Sequence, residues 1–146
     1  MQAIERIVEK CREAGMRMTP QRLAIFRYLE GNRSHPTAEE IFRAVRRKHP
    51  GLSLATVYNT LETLGRLSEV ARHDLGGGAE RWDPEVRPHH HFTCEACGEV
   101  QDVFGELELP ALAGLGAATV HRVQVQLSGL CGACRRKPRS AKRGPQ

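Results

Sequence analysis

Three things are scarce in this chain of 146 residues. No stretch approaches the roughly 18 consecutive apolar residues of a transmembrane helix, which excludes a helical membrane span. The opening M-Q-A-I-E-R-I-V-E-K alternates charge with apolar side chains and so lacks the unbroken apolar run of a signal peptide. Aromatic residues are few, with 1 Trp, 2 Tyr and 4 Phe, so one large core is not the expected solution. A chain of this length holds one ordinary domain or two small ones. The expectation is a soluble, cytoplasmic protein with no membrane partner. In that compartment five cysteines argue for metal binding rather than disulfides.

Positive charge is scarce in one region only. Residues 1–82 carry 14 Lys/Arg against 10 Asp/Glu, a balance of +4. Residues 83–134 carry 2 against 7, a balance of −5, and residues 135–146 carry 6 against none. A mildly basic front and an acidic, ligand-rich back suit a polyanion-binding module joined to a cation-binding module. The division expected is 1–82, a short hinge at 83–84, a second domain at 85–134, and a basic, disordered tail at 135–146.

What the front half does have is helical periodicity. Ile4, Ile7, Val8, Cys11 and Ala14 recur at helical spacing, with Cys11 read as a small buried apolar residue. Thr19-Pro20 is a helix start, followed by a stripe of Leu23, Ala24, Phe26 and Leu29. Thr37-x-x-Glu40 is a capping box for a third helix through Ile41, Phe42 and Val45. Ser53 caps a fourth, in which Leu54, Val57, Leu61 and Leu64 face the core. A hairpin is expected from strands at 67–71 and 79–82 around Gly76-Gly77-Gly78. Helices followed by a two-stranded hairpin is the order of a winged helix-turn-helix. Its fourth helix would offer Ser53, Thr56, Tyr58, Asn59 and Thr60 to double-stranded DNA, short polar groups and one aromatic suited to base edges, thymine methyls and phosphates. The blander reading is that these are solvent-facing helix positions.

The back half is expected to be a small α+β unit. Strands at 91–93 and 99–104 bracket a metal knuckle, a short helix spans 107–115, and an alternating strand spans 119–127. Cys94-x-x-Cys97 and Cys131-x-x-Cys134 each place two sulfurs on one tetrahedral ion, and four thiolates select Zn²⁺ in a closed site. The 33 residues between the pairs exceed a simple zinc ribbon, so the domain itself must be the loop. The rival is a redox switch in the thiolates. Asp83, His89, His91 and Asp102 are left for a nitrogen and oxygen site. His89 and His91 alternate along an extended segment and point the same way, while His90 points away. His35, in S-H-P-T, offers a fifth ligand. Such donors suit Fe²⁺, Mn²⁺ or Zn²⁺; the blander reading is an exposed polar loop.

The segments G-M-R-M-T-P-Q-R, S-H-P-T-A-E-E-I-F, L-S-L-A-T-V-Y-N-T-L, H-H-F-T-C-E-A-C-G and L-C-G-A-C resemble the ferric uptake regulator (Fur) superfamily over nearly the whole chain. The resemblance implies a homodimeric, metal-activated transcriptional repressor with an N-terminal winged helix and a C-terminal dimerisation domain. It implies structural zinc on Cys94, Cys97, Cys131 and Cys134, one per subunit. It also implies one regulatory Fe²⁺ or Mn²⁺ per subunit on His35, Asp83, His89, His91 and Asp102, and a Tyr58 that meets thymine.

Asp102 looks like the aspartate of the peroxide-sensing branch, where iron-sensing members more often carry glutamate. That branch implies oxidation of His35 or His89 by peroxide, the one small molecule the protein would react with. An additional metal site known in some iron-sensing members is not expected, because Pro88, His90 and Val123 stand at its ligand positions; His121 and Glu108 remain near it. The alternative within the family is a repressor of metal uptake genes that answers to the metal level alone. An enzyme of the non-haem iron oxygenase kind is not expected, since up to five protein ligands leave little room for a substrate.

Overall fold

The computed structural model describes residues 2–75, 78–106, 114–121 and 123–136. The chain forms two compact units, Met1–Arg87 and Pro88–Gln146.

The first unit runs α1 (Gln2–Glu13), α2 (Pro20–Leu29), α3 (Ala38–Arg46), α4 (Leu54–Arg66), β1 (Ala71–His73) and β2 (Arg81–Asp83). Each helix after the first starts where a side chain satisfies its bare amides. Thr19 accepts from the amide of Arg22, and Ser53 accepts from that of Thr56 at 3.1 Å. At α3 the capping box is complete, with Thr37 Oγ1 accepting from the Glu40 amide and Glu40 Oε2 from the Thr37 amide. The core gathers Cys11, Ile25, Phe26, Leu29, Ile41, Val45, Val57, Leu61, Leu64, Val70 and Trp82. Burying each large member contributes about 1.5–3 kcal/mol. On α2 Phe26 and Leu29 of the expected stripe are buried, joined by Ile25, which goes deepest, whereas Leu23 and Ala24 stay only partly buried.

Two expectations for this unit are corrected. Thr60 is fully buried, and its hydroxyl turns back to the carbonyl of Thr56 at 2.7 Å, so it is not offered to a ligand. The first hairpin strand begins at Ala71 rather than Leu67. Residues 67–70 form the exit of α4 instead, with Ser68 at φ +56 and the amide of Glu69 bound to the carbonyl of Leu64. Buried Glu69 pairs with Arg6 (3.2 Å) and with Lys10, both on α1. Strands β1 and β2 are antiparallel, with Ala71 opposite Asp83 and His73 opposite Arg81. Gly76 and Gly77 lie outside the described residues.

The second unit runs β3 (His90–Cys94), β4 (Val100–Val103), β5 (Gln126–Gly129) and the short α5 (Gly132–Arg136). Its sheet has the order β4-β3-β5, with β3 antiparallel to β4 and parallel to β5. The strand expected at 119–127 is therefore shorter and later. The amide of Val125 is taken by His90 Nδ1 at 3.1 Å while its carbonyl accepts from the amide of His91, so regular pairing starts only at Gln126. The helix expected at 107–115 falls mostly outside the described residues, as do residues 137–146 of the basic tail; Arg135 and Arg136 close α5. Among the described residues, the buried side chains of this unit are His89, His90, His91, Cys94, Val100 and Cys131. An interior made largely of potential ligands is short of hydrophobic stabilisation and calls for a metal staple.

No described helix is long and apolar enough to cross a membrane.

Candidate metal centres and nucleic-acid face

The four cysteines come together through the parallel pairing of β3 and β5. Cys94 ends β3, and the turn that follows returns the amide of Gly98 to the carbonyl of Cys94 at 2.8 Å. Gly98 sits at φ +74, a left-handed conformation that costs glycine little, and so closes the knuckle around Cys97. Gly129 stands opposite Cys94 in the β3–β5 register, and its carbonyl accepts from the amide of Glu95. This places Cys131, just after β5, against the first pair, and its amide donates to Cys94 Sγ at 3.3 Å. Cys134 follows on α5.

One sulfur from each of the four lies within 4.8 Å of the others, with Cys97 and Cys131 at 3.9 Å. A tetrahedral zinc with Zn–S of 2.3 Å requires sulfurs about 3.8 Å apart, close to the Cys97–Cys131 separation, so the set fits such an ion. Hydrogen bonds from backbone amides, that of Cys131 first, hold the Cys94 thiol down to about 6. Cys134 is pushed up to about 12, chiefly by the side chains of Cys131 and Cys97 beside it and by burial. Cys94 therefore forms a thiolate readily, whereas Cys134 needs a nearby cation to do so.

The nitrogen and oxygen donors fall into two groups, one in each unit. In the first unit His35 occupies the loop before α3 and Asp83 ends β2, both almost completely buried. His35 Nε2 lies 3.4 Å from Asp83 Oδ2. Asp83 Oδ1 accepts from the amide of Glu85 at 2.8 Å, which leaves Oδ2 as the oxygen turned toward histidine. A second imidazole, His73 on β1, brings its Nε2 to 3.8 Å from the same oxygen. In the second unit His89 Nε2 and His91 Nε2 approach to 2.9 Å, and Asp102 Oδ1 lies 3.5 Å from the first and 3.9 Å from the second.

Neighbouring nitrogens on an octahedral ion at about 2.1 Å stand roughly 3 Å apart, so this histidine pair is already spaced as two ligands. The geometry follows from register, since His91 is directly opposite Asp102 on β4 and His89 lies two residues before His91. His89 stacks on the Phe104 ring at 5.3 Å, and Gln124 reaches His91 Nδ1 at 3.5 Å, which holds both rings with Nε2 forward. His90 does point elsewhere, into its contact with Val125.

On α4, Ser53 is exposed and Thr56 partly so, and their hydroxyls are 2.8 Å apart. Tyr58 and Asn59 are exposed. Tyr58 donates its hydroxyl to Glu39 Oε1 on α3 at 2.9 Å, which pushes the phenol up in pKa. The Glu39 carboxyl is held low, first by a backbone amide and then by that hydroxyl. Glu39, His73, Gln124 and Arg81, whose guanidinium donates to the carbonyl of His35, were not singled out from sequence. Their roles depend on which strand or helix lies beside them, and that is invisible in residue spacing.

A family model described as the ferric uptake regulator family matches residues 13–128. The peroxide-responsive repressor PerR of Staphylococcus epidermidis is 36% identical over 138 residues, 90% of each chain. A solved structure of Streptococcus pyogenes PerR, described as the structural basis for peroxide sensing and gene regulation, shares 28% identity over 90% of this chain and 92% of that one, with a TM-score of 0.53. The Helicobacter pylori ferric uptake regulator is 20% identical over 93% and 94%, with a TM-score of 0.75, and shares the fold.

Proposed function

The chain belongs to the ferric uptake regulator family of metal-responsive repressors, which are transcriptional regulators and not enzymes, and on that premise we propose that it is a peroxide-sensing repressor of operator DNA. Zinc on Cys94, Cys97, Cys131 and Cys134 staples the second unit. One Fe²⁺ or Mn²⁺ per subunit is held by His35 and Asp83 of the first unit together with His89, His91 and Asp102 of the second. The support for this set is chemical: each group offers buried imidazole nitrogen beside carboxylate oxygen, the donors these ions take. Drawing ligands from both units, the ion fixes the hinge at residues 83–84, so that the α4 helices of a homodimer match two half-sites. Pairing of two cytoplasmic copies is supported by the apolar side chains that the second unit leaves exposed, Phe104, Leu115, Val120, Leu127 and Leu130. Ser53, Thr56, Tyr58 and Asn59 then face the DNA.

The observation that carries the peroxide reading is Asp102, a short carboxylate set by strand register beside His89 and His91. Bound Fe²⁺ would supply the reduction of peroxide that generates an oxidant next to its ligands. His35 or His89 would take one oxygen atom from the peroxide, the other leaving as water, and become a poorer donor. The ligand set would come apart, releasing the hinge and the DNA with it. Mn²⁺ sustains DNA binding without this loss.

The test loads zinc-bound protein anaerobically with Fe²⁺ or Mn²⁺, adds low peroxide, and follows peptide masses beside operator binding. One added oxygen on the His35 or His89 peptide, with iron only and in step with DNA release, is the expected result. If both histidines stay intact and DNA binding follows free iron, the protein is a metal-level repressor of uptake genes. Loss of zinc with oxidised cysteines would move the switch to the thiolates.

A further inference from the structure

His35 adopts φ +49, in the left-handed region that residues with a β-carbon rarely enter. It also precedes Pro36, whose ring biases the residue before it toward extended backbone. Strain of this kind persists only where neighbours over-determine it, and it gathers at functional sites. Here the neighbour is β2. Arg81 Nη1 donates to the carbonyl of His35 at 2.9 Å, and the amide of Trp82 donates to the carbonyl of Pro36 at 3.0 Å. The guanidinium is itself anchored, since the same nitrogen lies 3.7 Å from Glu40 Oε2, the carboxylate that closes the capping box of α3. Arg81 and Asp83 alternate on one strand and so project to one side of it. The first grips the backbone of His35 while the second faces its ring at 3.4 Å.

The geometry points to Arg81 as the positioning residue that holds His35 in this conformation and thereby presents its imidazole as a ligand. Without that donor the peptide at His35 relaxes toward negative φ, its Cα–Cβ bond swings, and the ring leaves Asp83. The inference rests on the reading of His35 as a regulatory-metal ligand.

The experiment measures Mn²⁺ affinity and the electron paramagnetic resonance spectrum of bound Mn²⁺ in zinc-loaded, full-length protein. Wild type, Arg81→Met, Arg81→Lys and His89→Ala are compared, with thermal melting alongside. Arg81→Met is expected to weaken Mn²⁺ by about 10- to 100-fold, the usual consequence of losing a residue that orients a ligand, and to alter the spectrum. Its melting should stay near wild type, because the lost hydrogen bond is offset by released strain. Arg81→Lys, which keeps a donor and a charge, should recover much of the affinity. Equal Mn²⁺ binding by wild type and Arg81→Met overturns the role of Arg81 alone. Unfolding or zinc loss in Arg81→Met also overturns it, by making the residue structural. Failure of wild type to bind Mn²⁺, or undiminished binding by His89→Ala, overturns the regulatory site itself and this inference with it.

Discussion

At the scale of single residues, Cys94 is the most informative. Its thiol is lowered to about 6 by hydrogen bonds to its sulfur, from the amide of Cys131 first, while Cys134 is raised to about 12 by the thiols around it. Metal and protons compete for the same sulfurs, so acid must favour release. Above about pH 6 the metal-free Cys94 is already a thiolate. The apparent affinity of the metal-free protein for Zn²⁺ is therefore expected to fall between pH 7 and pH 5 as Cys94 takes up a proton. An affinity that does not change across that range would mean that the amide bonds to Cys94 do not set its charge. The clustering of the four cysteines was legible because each Cys-x-x-Cys is a local signal whose chemistry hardly depends on context. His73 and Arg81 were not. Both look like ordinary polar residues of a wing until β1 and β2 are paired and Asp83 and His35 stand beside them.

Among the elements, α3 was the most readable from sequence, because Thr37 and Glu40 satisfy each other's amides within four residues. Replacing Thr37 by Ala is expected to cost about 1 kcal/mol in a denaturant titration, the ordinary value of a helix cap. Leu61→Ala on α4 should cost about 2–5 kcal/mol, since its side chain is completely buried against the other helices. If the two variants melted alike, the cap would be contributing as much as a core leucine, and Leu61 would not be a tightly packed core side chain. Strand β5 is less legible. Val123, Val125 and Leu127 alternate as a strand should, but the pairing partner β3 is distant in sequence and parallel. The amide of Val125 goes to a histidine ring rather than to a ladder. Alternation reports a face available for burial, and it cannot report which backbone groups are already taken.

For the molecule as a whole, the helical unit is built from near-neighbour contacts and an apolar core, while the sheet unit is built from register between remote segments and, among the described residues, an interior mostly of histidine and cysteine. The two units should therefore reach their native states on different clocks. Joining Cys97 to Cys131 through one ion closes a loop of 33 intervening residues, and a cross-link over that span removes about 4 kcal/mol of chain entropy from the unfolded state. Diluted from denaturant without metal, the chain is expected to regain its helical signal in a first fast phase while the sheet stays unformed. Adding zinc should then start a second phase whose rate rises with zinc concentration. A single phase indifferent to zinc would show that β5 finds β3 unaided. In the expected case the parallel pairing of β3 with β5 acts as a licence. A newly made chain stays half-folded until the cell supplies it with zinc, so zinc supply sets how many copies exist to sense anything else.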